Sequence, residues 1–251
     1  MKQILLITDG GSNVGENPAV AAAQANAEGI TVNVVGIVDD GAIGEFGAAE
    51  IMGIALAGGG TSQFVTTGQL SRTMQMMTRQ TISGSIRQAV NAELQQLFGV
   101  KSVGELSPAK RTEITKVMEE MEEAVGLSVA LLIDASASMK PKLHAVEEAV
   151  RDLTLSLQAR VGRSRVAVFH FPGDTDQCCK MDSDWTTNVA KLGSMFNRIR
   201  MRGTTPTGPA LLHVVDFIIG SCGKINRREL TDTPLQSPRV DKDGVRSDYV
   251  V

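Results

Sequence analysis

Apolar positions along this chain follow two rhythms. Four short runs are largely apolar, "QILLIT" (3–8), "ITVNVVGIV" (30–38), "SVALLI" (128–133) and "SRVAVFHF" (164–171), and "TSQFV" (61–65) is a shorter, more polar one. Runs of this length bounded by turn formers predict strands, the most apolar of them buried on both faces. Helical spacing fills the gaps between them. In "NPAVAAAQANAEG", Asn17 suits the cap, Pro18 the first turn and Gly29 the end. "GEFGAAEIMGIALAGGG" carries Phe46, Ile51, Ile54 and Ala55 at helical intervals and stops at Gly58. "PKLHAVEEAVRDLTLSLQAR" is a long amphipathic helix, and "NVAKLGSMFNRIR" and "PALLHVVDFIIG" are two more. "DQCCKMDSDW" suggests a short, more polar strand near a sheet edge. The alternation predicts an α/β fold with a doubly wound, mostly parallel sheet covered by helices.

Residues 67–125 break this alternation. Leu70, Met74, Met77, Ile82, Ile86, Val90, Leu94 and Leu97 mark helical faces, and Gly99 ends the stretch. Ser107-Pro108 starts another helix, with Ile114, Val117, Met118 and Met121 on one side. The methionine stripe reads as a core face; an adaptable partner surface is the other reading. From about residue 222 the chain is polar, charged and rich in turn formers, which predicts a disordered tail to residue 251.

Composition removes several function classes. A net charge of −3 leaves no basic footprint for nucleic acid. No apolar run reaches the roughly eighteen residues that would span a bilayer. The opening "MKQILLITDGG" is already a strand and turn, so no signal peptide is expected. Three cysteines, Cys178, Cys179 and Cys222, make no disulfide framework, and a cytoplasmic location is the simplest expectation. His144 and His213 fall within amphipathic helices, and nothing in the sequence pairs with His170. Trp185 reads equally as a core or a rim anchor.

The candidate chemistry lies in "LLIDASASMK" (131–140). If the strand ends near Ile133, Asp134, Ser136 and Ser138 occupy the loop at its carboxyl end, where open α/β sheets bind ligands. Alternate residues of an extended loop point the same way. One carboxylate and two hydroxyls then converge, an all-oxygen set suited to a hard cation such as Mg²⁺. A serine-rich turn capping the next helix is the plainer reading. Two further features join the first. "GTTPTG" (203–208) sets Thr205 in a glycine-bounded loop before a helix, and "LLITDGG" sets Asp9 at the end of another buried strand.

Together the D-x-S-x-S, G-x-T-x-T-G and T-D-G elements resemble the metal-ion-dependent adhesion site of von Willebrand factor type A (VWA) domains. The resemblance implies that Asp134, Ser136, Ser138, Thr205 and Asp9 surround one metal ion, although Thr204 stands where the family has a second glycine. "GIVDD…IGEFGAAEIMGIALAGGGTSQFV" is similar to the family's last strand, helix and glycine-rich ending. The order differs. In the family T-D-G comes last, and here it comes first. The chain therefore resembles a circularly permuted, Rossmann-like VWA domain over 1–221, with residues 1–70 as its second half and 127–221 as its first. A helical connector (71–126) would join the old ends. It is similar to stand-alone VWA proteins of spore-forming Gram-positive bacteria.

The resemblance implies strands ending at Asp9 and Ile133 side by side in the sheet centre. It also implies a non-enzymatic module that holds Mg²⁺ (Mn²⁺ or Ca²⁺ being alternatives) and captures an Asp or Glu of a protein partner. Nucleic acid and membrane are not expected as partners, and a domain-swapped dimer is compatible with the connector. The competing reading is a Mg²⁺-dependent phosphoryl-transfer enzyme using Asp134 and Asp9. Neither a G-x-S-x-G elbow nor a phosphate-binding glycine motif is present to support other enzyme classes.

Overall fold

The computed structural model describes residues 1–38, 44–174, 177–188, 190–193 and 195–229. In chain order the elements are β1 (Lys2–Thr8), α1 (Pro18–Ala27), β2 (Ile30–Ile37), α2 (Glu45–Ala57), β3 (Gly59–Val65) and α3 (Leu70–Phe98). They continue with α4 (Pro108–Ala124), β4 (Leu127–Asp134), α5 (Leu143–Gln158), β5 (Ser164–Phe171), β6 (Lys180–Thr186), α6 (Ala190–Gly193) and α7 (Thr207–Glu229). A 3-10 turn, Ala137–Lys142, links β4 to α5. Among the described residues no helix is long and apolar enough to cross a membrane.

The six strands form one sheet in the order β3-β2-β1-β4-β5-β6. All neighbouring pairs are parallel except β5 and β6. The apolar runs are continuous because both faces are covered. In β1, Leu5 and Ile7 point to the layer of α3 and α5, while Ile4 and Leu6 point to the layer of α1, α2 and α7. Strand β1 sits at the centre, Ile7 opposite Val35 of β2 on one side and Ile133 of β4 on the other. From β1 the chain winds through α1 to β2 and β3; it then returns to start β4 on β1's other flank. That reversal is a topological switch point, and loops leaving β1 and β4 part there to open a crevice at the strands' carboxyl ends.

Local signals explain most boundaries. Asn17 accepts the Ala19 amide at 2.9 Å and Pro18 opens α1. Gly99 closes α3 at φ 67°, a conformation that disfavours side chains with a Cβ. The connector is not a detached helical arm. Leu70, Met74, Met77, Ile82 and Ile86 of α3 are buried in the core of that sheet face. Two polar contacts fix its height: Gln3 Nε2 donates to Thr78 Oγ1 at 3.0 Å, and Asn33 Nδ2 to Thr81 Oγ1 at 2.8 Å. Helix α4 packs mainly on α3, burying Met118.

Several expectations need correction. Phe46 is 93% exposed. Five residues ahead of Ile51, it lies about 140° around the helix from the buried stripe. Val117 and Met121 are also exposed, whereas Met118 of the same helix is buried and Ile114 is partly buried against the core. The stretch 188–200 is not one helix: α6 spans four residues, a 3-10 turn covers Phe196–Arg198, and extended backbone follows. Cys178 and Cys179 precede β6 instead of lying on it. Residues 222–229 continue the backbone of α7, so the predicted tail does not begin at 222; 230–251 lie outside the described residues, as does part of "GIVDD…IGEF".

Candidate functional site

Strands β1 and β4 deliver their last residues side by side. Thr8 ends β1, and its hydroxyl donates to Asp134 Oδ2 at 2.7 Å. The Ser136 amide donates to Asp134 Oδ1 at 2.7 Å, as expected where an aspartate turns the chain out of a strand. Asp134 is fully buried. Burial pushes its carboxyl above the ordinary range; the Thr8 hydroxyl, the Ser136 amide and the Ser136 hydroxyl pull it back, and the Asp9 charge pushes it up again. The net direction is upward.

From Asp134 the polar groups run outward in a chain. Ser136 Oγ lies 3.1 Å from Ser138 Oγ, and Ser138 Oγ donates to Asp9 Oδ1 at 2.8 Å. Asp9 comes from the T-D-G turn, 129 residues away in sequence from Ser138. Lys142, at the end of the 3-10 turn, donates to the other Asp9 oxygen, Oδ2, at 2.7 Å. Asp134 and Ser136 are buried and Ser138 is exposed, so the constellation opens to solvent at its outer end.

Thr205 enters through its backbone. Its amide donates to Asn13 Oδ1 at 2.8 Å, and the Asn13 amide returns a bond to Thr205 O at 3.2 Å. The Arg202 amide donates to Ala135 O at 3.0 Å, which joins the same loop to the turn after Asp134. Ser12, beside Asn13, is clamped by both carboxylate oxygens of Glu50 on α2, at 2.6 and 2.7 Å. The loops carrying Asp9, Asp134 and Thr205 are therefore mutually hydrogen-bonded.

The protein YabS of Bacillus subtilis (strain 168), itself uncharacterized, is 45% identical over 212 residues, 84% of this chain and 86% of that protein. This chain belongs to the YabS family. A crystal structure of an uncharacterized protein from Alicyclobacillus acidocaldarius agrees with a TM-score of 0.83 at 42% identity, over 90% of this chain and 96% of that one. Proximal thread matrix protein 1 of the mussel byssus aligns with 81% of this chain and 44% of its own at 17% identity, but its TM-score of 0.26 is too low to compare sites. No family model matches the chain.

In this YabS-family chain, Asp9, Asp134, Ser136 and Ser138 form one hydrogen-bonded group, with Thr205 anchored beside it. Oxygen is the only donor element they offer, which fits a hard divalent cation. Among the described residues no three His, Cys, Asp or Glu side chains are grouped so as to hold a metal ion, so a cation here would rely on two carboxylates and on hydroxyls. Burial also pushes the Cys179 thiol up, away from the thiolate a metal would need. Sequence reasoning passed over Thr8, Asn13, Glu50 and Lys142. Lys142 alone had a local signal, as a cation in the turn straight after D-x-S-x-S. His170 also has a partner invisible in sequence: its Nδ1 lies 2.6 Å from Asp182 of the edge strand β6. Trp185 is a rim residue, under the Arg165 guanidinium and donating to Ser221 at 3.0 Å.

Gly208, in the first turn of α7 just after the threonine loop, packs against the loop that follows Asp9. A Cβ there would sit 2.1 Å from Glu16 O. Gly208→Ala is expected to cost about 1–3 kcal/mol through overpacking against main chain. It should also separate Thr205 from Asp9. An unchanged thermal midpoint, followed by circular dichroism, would show that the two loops do not pack this tightly.

Proposed function

We propose that this chain is a non-enzymatic, divalent-cation-dependent protein-binding module, a circularly permuted counterpart of VWA domains, that captures a carboxylate from a partner. One observation carries the reading. Ser138, from the D-x-S-x-S loop, meets Asp9 of the T-D-G turn on the neighbouring central strand. Motifs 129 residues apart in sequence thus converge at the sheet's switch point. Asp134, Ser136, Ser138, Thr205 and Asp9 would hold the ion, with Mg²⁺ the expected species. A bound cation supplies an electrophilic position that a partner Asp or Glu oxygen can fill.

The chain's own residues serve that task in distinct ways. Thr8 and the Ser136 amide hold both Asp134 oxygens in a fixed orientation. The Asn13–Thr205 bonds keep the threonine loop closed on the Asp9 turn. Exposed Ser138 marks the approach for a ligand. Lys140, Arg198 and Arg200 are exposed on segments flanking the approach, a charge pattern that would speed encounter with an acidic partner and weaken with salt.

Ligand that binds only the folded state raises stability, by about 2.7 kcal/mol at a hundred times Kd. Mg²⁺ is therefore expected to raise the thermal midpoint of the wild type, and Ser138→Ala to reduce that gain. A displayed library of peptides containing Asp or Glu should be retained in Mg²⁺ and released by EDTA. Retention indifferent to EDTA, or phosphate release from a phosphoester on Mg²⁺ addition, would overturn the proposal.

A further inference from the structure

Lys142 is a charged neighbour of the site that no motif reading included. The turn that carries Ser138 also carries Lys142, so the backbone that places the hydroxyl on Asp9 Oδ1 places the ammonium on Asp9 Oδ2. The Lys142 side chain is 12% exposed and that of Asp9 3%. The contact is therefore partly withdrawn from water, unlike a surface ion pair that solvent and salt would screen. Asp9 and Asp134 bring two negative charges to the crevice, and Lys142 cancels one of them.

We infer that Lys142 is a tethered cation that sets the metal affinity of this site, holding it well below what the two carboxylates alone would provide. This inference rests on the metal-site reading above. A divalent ion bound through Asp9 must share that carboxylate with an ammonium already hydrogen-bonded to it. Sharing weakens the ion's hold in two ways: Asp9 donates less electron density, and the two positive charges repel across a short, partly desolvated gap. The same excess of positive charge favours an incoming carboxylate, so cation and acidic ligand would help each other bind.

The test compares Mn²⁺ binding, read by electron paramagnetic resonance of the free ion, in the wild type, Lys142→Met, Lys142→Gln and Lys142→Arg. Neutral variants are expected to bind Mn²⁺ about ten-fold more tightly, and Lys142→Arg to stay near the wild type. Circular dichroism of each variant establishes that it is folded. Two neutral replacements of different polarity guard against one failing to fold. Equal affinity in the wild type and the neutral variants would overturn the role of Lys142 and leave the metal site standing. Absence of Mn²⁺ binding in every folded protein would overturn the metal site and this inference together.

Discussion

A chain lacking residues 1–8 is expected not to fold, rather than to fold without its ligand site. Strand β1 pairs along its length with β2 on one side and β4 on the other. Its removal exposes two sheet edges where there had been none and splits the sheet in the middle. It also removes Ile4, Leu5, Leu6 and Ile7, all fully buried and divided between the two cores. At about 1.5–3 kcal/mol for each buried side chain, the loss is about 6–12 kcal/mol. That matches the whole stability of an ordinary domain, about 5–15 kcal/mol. Heating the truncated chain should give no cooperative transition. A retained sigmoidal transition in circular dichroism would mean that β2 and β4 can close on each other, contrary to the central placement of β1.

Replacing Asp134 by asparagine should do the opposite to metal-free stability while weakening metal binding. The carboxylate is fully buried, and burial dominates its upward shift. A carboxyl whose folded value lies above its unfolded one binds more protons in the folded state. Stability therefore falls as pH rises from the ordinary carboxylate range through the raised folded value, and the whole cost is present above it. Asparagine avoids that cost. Its Oδ1 can still accept from the Ser136 amide, and its amide can donate to Thr8 Oγ1. Without divalent cation, Asp134→Asn should be more stable than the wild type at neutral pH, as when a functional compromise is relieved. The gain should vanish below the ordinary carboxylate range, where wild-type Asp134 is protonated in both states. Adding Mg²⁺ should reverse the ranking, because only the wild type offers a charged carboxylate at this position. Denaturant melts at two pH values, with and without Mg²⁺, measure all of this. A variant less stable than the wild type in EDTA at neutral pH would show that the hydrogen bonds from Thr8 and the Ser136 amide outweigh the cost of burying the charge.

The sequence by itself determined the α/β class, the limits of most strands and the identity of the polar loop residues. Strands buried on both faces leave little ambiguity in pattern, and caps such as Asn17 and Gly99 act through their own backbone. The polar strand β6 was legible because an edge needs only one buried face. Helix faces were less so. Phe46 and Val117 are apolar and lie in helical stretches, but what covers a helix decides which of its residues are buried, and both are exposed. Periodicity also could not show that 188–200 would break into short turns.

Tertiary structure decided which groups surround Asp9 and Asp134. Resemblance to VWA domains implied that these two acids are neighbours, yet no local rule places β1 beside β4 across more than a hundred residues. The parallel register of Leu5 with Leu131 and of Ile7 with Ile133 does so. The same geometry brings in Thr8, Asn13, Glu50 and Lys142, whose hydrogen bonds span loops from different strands and helices. Hydrogen bonds need an atom within about 3 Å and a favourable angle. Composition and spacing constrain neither when the partners are far apart in sequence, so the chemistry of the loops could be read from residues while their charge balance required the fold.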